Sequence, residues 1–291
     1  MRIGLIDVDG HNFPNLPLMK LSEWHKAQGD HVEWYEPYYQ YHIDSDQIIQ
    51  GGSGYCISLK EGREVFDKSK DTPLPYEVEH TFPDYGLYGI KDSAFGFLTR
   101  GCPRGCSFCH VAVKEGRRSR KVANLDEFWN GQKHITLCDA NILACMDWKE
   151  LMQQLIDSRS IVDFNQGLDI RMMTEEKAEM ICNVRTEKLH FAWDRWQDKD
   201  QILPRFKDFM GIIRDHRAMP KYIMVYVLCN YDTTFDQDLD RIDTLRNLGY
   251  SPYVMLYDKE NIPRGHQLRK LQRWCNNKVL FGSCKEFKDL R

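Results

Sequence analysis

Three cysteines close together limit this chain more than any other feature. The run Thr99-Arg100-Gly101-Cys102-Pro103-Arg104-Gly105-Cys106-Ser107-Phe108-Cys109-His110 sets them at spacing C-x3-C-x2-C. A loop this short turns three thiols toward one point. Gly101 and Gly105 supply the backbone freedom and Pro103 stiffens the turn. Three soft thiolates with no fourth in the loop fit an iron–sulfur cluster with one iron left open. A zinc knuckle with His110 as fourth ligand competes with that reading. Adjacent residues rarely both face one tetrahedral ion, however, and zinc pairs usually come as C-x2-4-C twice.

The other seven cysteines, Cys56, Cys138, Cys145, Cys182, Cys229, Cys275 and Cys284, show no cluster spacing and read as reduced core or surface thiols. The 291 residues are 42% apolar and 12% aromatic, which excludes a disordered chain. No apolar run approaches the ~18 residues of a membrane span. The amino end enters a strand-like run and meets charge too early for a signal peptide, so a cytoplasmic, thiol-reducing setting is expected. The net charge of −3 hides an asymmetry: residues 1–90 hold 7 basic and 15 acidic side chains, and residues 91–291 hold 33 and 28. Two units are implied, with anionic ligands favouring the second.

Residues 2–8, 31–35 and 47–49 read as strands and residues 16–28 as a helix with Leu18, Leu21, Trp24 and His25 on one face. The expectation is a small, truncated Rossmann-like α/β domain over residues 1–70 with a parallel sheet, ending at a glycine turn (Gly51-Gly52-Ser53-Gly54). Residues 71–91, rich in proline and tyrosine, read as a linker. From residue 92 to 291, strand candidates at 94–99, 135–138, 161–165, 189–193, 222–228 and 253–256 alternate with helical stretches at 126–130, 148–157, 174–183, 201–216 and 235–248. Six such units predict a partial six-stranded (β/α) barrel with a carboxyl-terminal extension.

Cys102, Cys106 and Cys109, with Phe108 just before the last, resemble the signature of the radical S-adenosylmethionine superfamily. The resemblance implies a [4Fe-4S] cluster whose open iron is chelated by S-adenosylmethionine. One electron then cleaves the sulfonium to methionine and a 5′-deoxyadenosyl radical, which abstracts hydrogen from a substrate. It also implies a partial barrel with the cluster loop after strand one, oxygen sensitivity, and an electron donor such as flavodoxin or ferredoxin. Asn15-Leu16-Pro17-Leu18-Met19-Lys20, Gly29-Asp30-His31-Val32, Ile48-Ile49-Gln50-Gly51-Gly52 and Pro83-Asp84-Tyr85 are similar to the subgroup with a cobalamin-binding amino-terminal domain. The D-x-H-x-x-G pattern for an axial histidine is absent, since Asp9-Gly10-His11 does not reproduce it, and the reading goes against cobalamin.

The resemblance also assigns further residues near the cofactor. Asp139 and Asn141, ending the second barrel strand, resemble the motif that holds the methionine amino group. Gln166, Asp169 and Arg171, ending the third, suit a ribose or the methionine carboxylate, with Asp169 as a helix cap in the bland reading. Asp194 ends the fourth strand, near the ribose or in a surface pair with Arg195, and Asn230 ends the fifth. The run from Lys114 to Lys121 carries five positive charges against one negative and fits a phosphorylated substrate or nucleic acid as well as a solvated loop. No catalytic residue or substrate is named by the sequence. A cobalamin-dependent radical methylase is one alternative, and a nucleic-acid-binding protein with a structural metal at the three cysteines is another.

Overall fold

The computed structural model describes residues 1–7, 13–34, 47–52, 55–60, 74–217 and 220–290. Asp9-Gly10-His11, residues 61–70 and the start of the expected linker lie outside the described residues. Two units emerge: residues 1–96 with 123–135, and residues 97–122 with 136–291.

In the first unit, β1 (Arg2–Asp7) runs parallel to β2 (His31–Trp34) and β3 (Gln47–Gly52), with Leu5 opposite Trp34 on one side and Ile49 on the other. Helix α1 (Leu16–Ala27) starts where Asn15 accepts the Leu18 N–H at 3.3 Å, carries Pro17 in its first turn, and ends before Gly29 at φ +83°. Its Leu18 and Leu21 pack on Ile3 and Leu5 with Val78 of α2 (Tyr76–Glu79). Each such side chain removed from water contributes about 1.5–3 kcal/mol. Asp84 accepts from Ser22 and Lys26, both at 2.6 Å, and anchors the chain after α2 to α1.

One expectation for this unit is corrected. Strand β4 (Tyr55–Lys60) follows the glycine run and pairs antiparallel with β3, Gly51 facing Cys56, so the sheet is a mixed one of order β2-β1-β3-β4. Strand β5 (Ser93–Gly96) completes the unit. The Tyr85 hydroxyl receives the Phe95 N–H at 2.9 Å and donates to the Phe128 carbonyl at 2.6 Å. Residues 126–130, expected to be helical, form only the 3-10 turn Leu125–Glu127.

The second unit opens with β6 (Thr99–Arg100) and β7 (Arg120–Lys121), a two-residue antiparallel ladder that brackets the cysteine loop and the short α3 (Val111–Lys114). Strand β8 (His134–Leu137) crosses the boundary between the units. Alternation then follows: α4 (Trp148–Ser158), β9 (Ile161–Phe164), α5 (Glu175–Asn183), β10 (Lys188–Ala192), α6 (Lys199–Asp215), β11 (Tyr222–Cys229), α7 (Phe235–Leu248) and β12 (Ser251–Leu256). Strands β10, β11 and β12 are parallel neighbours in that order, Ala192 opposite Tyr226 and Tyr226 opposite Tyr253.

Burial alternates along β11, with Ile223, Val225, Val227 and Cys229 buried under the helices. Phe191 of β10 meets Phe206 and Phe209 of α6 edge-on at 6.0 and 5.0 Å. All six expected strand regions carry a strand, which makes this a mixed α/β chain with parallel sheets. The ladder is interrupted between β9 and β10, and the described residues form no closed barrel. Helices α8 (Gln267–Asn276) and α9 (Lys278–Ser283) follow β12, burying Leu271 and Trp274. Asn276 accepts the Val254 N–H at 2.7 Å and donates to its carbonyl at 3.0 Å, which occupies backbone groups of an edge strand.

Candidate functional site

The cysteine loop is shaped by its glycines and by the basic stretch behind it. Gly101 has φ +90°, and a Cβ there would lie 2.3 Å from the Arg118 carbonyl oxygen, so no other residue fits. The Gly101 N–H donates to the Glu115 carboxylate at 2.9 Å and the Cys102 N–H to the Gly116 carbonyl at 3.1 Å. Cys109 N–H closes a turn onto the Cys106 carbonyl at 3.0 Å. Cys102, Cys106 and Cys109 are free, half-buried thiols. Burial pushes the Cys106 thiol up, Arg171 pulls it down, and Asp194, Cys102 and Cys109 raise it further. Metal binding would have to displace that proton. Among the described residues, no group of three His, Cys, Asp or Glu side chains is disposed to hold a single metal ion. An iron–sulfur cluster gives each thiolate its own iron and takes thiols that stand apart.

Two buried carboxylates frame the loop. Asp139, just past β8, turns toward β6: it accepts from the Leu98 N–H at 3.1 Å, the Thr99 hydroxyl at 2.6 Å and the Thr99 N–H. Burial pushes its pKa up to about 6 against these hydrogen bonds. Asp169 accepts from Arg104 Nε at 2.8 Å and Asn141 Nδ2 at 3.1 Å on one oxygen, and from the Arg171 N–H at 3.1 Å and Nε at 2.7 Å on the other. Burial would raise the Asp169 carboxyl, but Arg171 and Arg104 hold it below the usual carboxylate range. Asn141 is 2% exposed, its amide nitrogen is 3.5 Å from Cys102 Sγ, and its Oδ1 is buried with no hydrogen-bond partner.

The ends of β10 and β11 are tied by α7. Arg241 and Asp238, 0% and 1% exposed, pair at 2.6 Å. Arg241 donates to the Trp193 carbonyl at 2.6 Å and the Leu228 carbonyl at 2.8 Å, while Asp238 accepts the Asn230 N–H at 3.1 Å. Asp194 therefore follows a fixed strand end, and its carboxylate has no hydrogen-bond partner among the described residues. Burial pushes it up to about 6, with Arg171 and Arg241 opposing and Asp198 and Asp169 adding to the rise. Phe108 meets Tyr231 edge-on at 5.0 Å, and the Ser107 and Tyr231 hydroxyls are hydrogen-bonded. A cavity of about 380 Å³ opens here, lined among others by Cys106, Phe108, Arg171, Asp198 and Tyr231. A larger groove of about 730 Å³ runs between α5 and α6, and none of the sequence-predicted residues lines it.

No protein-family model matches the chain. Over 121 residues, 38% of this chain, it is 31% identical to a CDK5RAP1-like protein of Oryza sativa subsp. japonica. The matched stretch is 20% of that relative, so the chain matches about a fifth of its length. The structure of Streptococcus suis SuiB bound to precursor peptide SuiA aligns over 76% of this chain and 55% of SuiB, with TM-score 0.46 and 12% identity. The chain resembles the radical S-adenosylmethionine superfamily.

The residues assigned from that superfamily do not all gather at one place. Cys106, Phe108 and Arg171 line the cavity, while Asn141 and Asp169 join Arg171 beside the loop. Gln166 is exposed, and the Asn230 carboxamide reaches the Tyr257 carbonyl at 3.3 Å. Asp139 has both oxygens occupied by Leu98 and Thr99. Sequence reasoning missed Arg104, Asp198, Tyr231 and the Asp238–Arg241 pair. Arg104 was visible as the one cation between Cys102 and Cys106. His110 is exposed at the start of α3.

Proposed function

We propose that the chain is a radical S-adenosylmethionine enzyme: Cys102, Cys106 and Cys109 hold a [4Fe-4S] cluster, and the adjoining cavity takes S-adenosylmethionine. The observation that carries this reading is the buried, unpartnered Oδ1 of Asn141, on a side chain whose nitrogen touches Cys102 Sγ. An acceptor left empty beside three thiols suits the ammonium of an amino-acid ligand, because a buried orphan costs about 1–3 kcal/mol until a donor arrives. When bound, the cluster supplies the electron that splits the sulfonium and releases a 5′-deoxyadenosyl radical.

The chain's own residues bind, orient and shield. Asn141 orients the amino group, and Arg171, steadied by Asp169 and by Asp198 at 3.2 Å, faces the carboxylate. Asp194, with both oxygens open to donors, accepts from ribose hydroxyls. Phe108 and Tyr231 cover the adenosine and exclude water, with Gln166 and Asn230 at the neighbouring strand ends. Asp139 holds the strand leading into the loop. In this reading the six strands form a partial barrel over residues 92–291, and residues 1–70 are a truncated relative of a cobalamin-binding domain without its axial histidine.

An acidic one-electron donor of the flavodoxin or ferredoxin class reduces the cluster, in a cytoplasmic, oxygen-poor setting. The substrate is unassigned, and the basic run 114–121 favours a phosphorylated one. No helix of the described residues is long and apolar enough to cross a membrane. The test is anaerobic reconstitution with iron and sulfide, reduction, and assay of 5′-deoxyadenosine. Wild-type chain is expected to produce it and Cys106→Ala to produce none. A cluster-loaded wild type that makes none, or an unaffected variant, refutes the reading. One zinc per chain with no iron or sulfide would favour a structural metal instead.

A further inference from the structure

The cysteine loop has few side-chain holds of its own, and one of them comes from inside it. Arg104 sits midway between Cys102 and Cys106. Its Nε donates to Asp169 at 2.8 Å and its Nη2 lies 3.3 Å from Met172 Sδ, so the side chain crosses from the loop to the turn after β9. Asp169 is well buried and receives four hydrogen bonds, two from guanidinium groups of opposite origin: Arg104 from the loop and Arg171 from its own turn. Neither oxygen faces the cavity without a protein donor.

A carboxylate so occupied has little left for a ribose. Charge-assisted bonds of this length are among the strong ones, and a buried carboxylate between two arginines fixes the positions of both. The same oxygen that binds Arg104 also binds Asn141, whose amide nitrogen contacts Cys102 Sγ. One atom therefore sets the mid-loop cation and the side chain against the first thiol.

We propose that the Arg104–Asp169 pair is a latch that holds the cysteine loop in its cluster-binding shape, and that Asp169 is a positioning residue rather than a cofactor ligand. The inference rests on the cluster assignment proposed above for its consequence, but the latch itself exists in the metal-free chain.

The variants are Arg104→Met, Arg104→Lys and Asp169→Asn, with the double variant Arg104→Met/Asp169→Asn. In metal-free protein, hydrogen exchange at the Gly105 and Cys106 amides and alkylation of Cys106 are read against melting temperature as a control for folding. In reconstituted protein, the rate of iron loss to a chelator and the affinity for S-adenosylmethionine are measured separately. Loss of one charged hydrogen bond is expected to speed exchange and iron loss about tenfold or more. Arg104→Lys should recover part of the loss, and the double variant should be no worse than the poorer single one. Unchanged loop exchange and iron retention in Arg104→Met overturn the latch. Asp169→Asn that weakens S-adenosylmethionine binding while keeping iron and loop exchange at wild-type rates makes Asp169 a cofactor ligand and also overturns it. Wild-type protein that takes up no iron refutes the cluster assignment, while the exchange data still decide the latch.

Discussion

Arg241→Met tests how the β10 and β11 ends are fixed. Arg241 and Asp238 are both fully buried, 2.6 Å apart, and the arginine binds the carbonyls of Trp193 and Leu228. Removing the guanidinium strands the Asp238 carboxylate in a site with no solvent, which costs about 3–5 kcal/mol. Removing both charges, as in Asp238→Leu/Arg241→Met, leaves no buried charge. The main residual cost is the Asn230 N–H, which loses its 3.1 Å acceptor, at about 1–3 kcal/mol. The two carbonyls each lose one donor, a smaller penalty, and two apolar side chains fill part of the space. The double variant is therefore expected to be more stable than Arg241→Met by about 2 kcal/mol. Urea unfolding at constant m-value, followed by far-ultraviolet dichroism, reads this as a shift in midpoint. If the two substitutions add, with the double variant worse than either single one, the pair is not a coupled buried ion pair and the reasoning fails.

Two other outcomes follow from the same site. Asp139 is pushed up to about 6 in the folded chain, above the ~3.9 of an unfolded aspartate. A raised carboxyl favours the folded state most below pH ~4 and loses that contribution as pH rises through 6, so about 3 kcal/mol fades across this window. Melting temperature against pH should show the decline in wild type and a flatter profile in Asp139→Asn, and parallel profiles would discount the burial. Asn141→Ala removes the unpartnered Oδ1, and its S-adenosylmethionine affinity in cluster-loaded protein is expected to fall about tenfold by equilibrium dialysis. An unchanged affinity would mean that this oxygen meets only water.

The parts of the fold legible in the sequence are those written in local periodicity. Strand β11 and helices α5 and α7 fall where the sequence places a strand and two helices. In the structure burial alternates along β11, and Thr174 and Thr234 cap the helices, the latter in a capping box with Gln237. The turn at Leu125–Glu127 carries the same kind of box from Asn124, yet the chain leaves the helix after one turn because Phe128 is drawn into the core. A cap signals a start and says nothing of length. Strand β4 was missed because a glycine run suggested an end where the chain pairs back on β3.

At the site, the three thiols were legible because their spacing is local. The direction of Asp139 was not, because its donors lie on Leu98 and Thr99, about forty residues earlier. The Asp238–Arg241 pair looks like any i, i+3 pair on a solvated helix face, and only tertiary packing buries it.

Among the acidic side chains beside the cysteine loop and the strand ends, completeness of hydrogen bonding separates those that brace the chain from those left open. Asp139, Asp169 and Asp238 are acidic residues found beside strand ends, where chemistry is ordinarily expected. Each has spent its oxygens on the chain itself: on the approach to the cysteine loop, on Arg104 within it, and on the Asn230 backbone with Arg241. Asn141 and Asp194 lie between these anchors and differ in having acceptors left over. For the Asn141 oxygen, burial without a donor is a cost that folding alone does not recover, whereas the same atom at a ligand's ammonium recovers it on binding. Asp169 makes that cost tolerable, because it accepts from Asn141 Nδ2 at 3.1 Å and holds the side chain in place with its oxygen unpartnered. Residue type and strand-end position select both sets equally well. Among these carboxylates and Asn141, what marks a candidate for binding, as against its support, is the hydrogen bond it has not made.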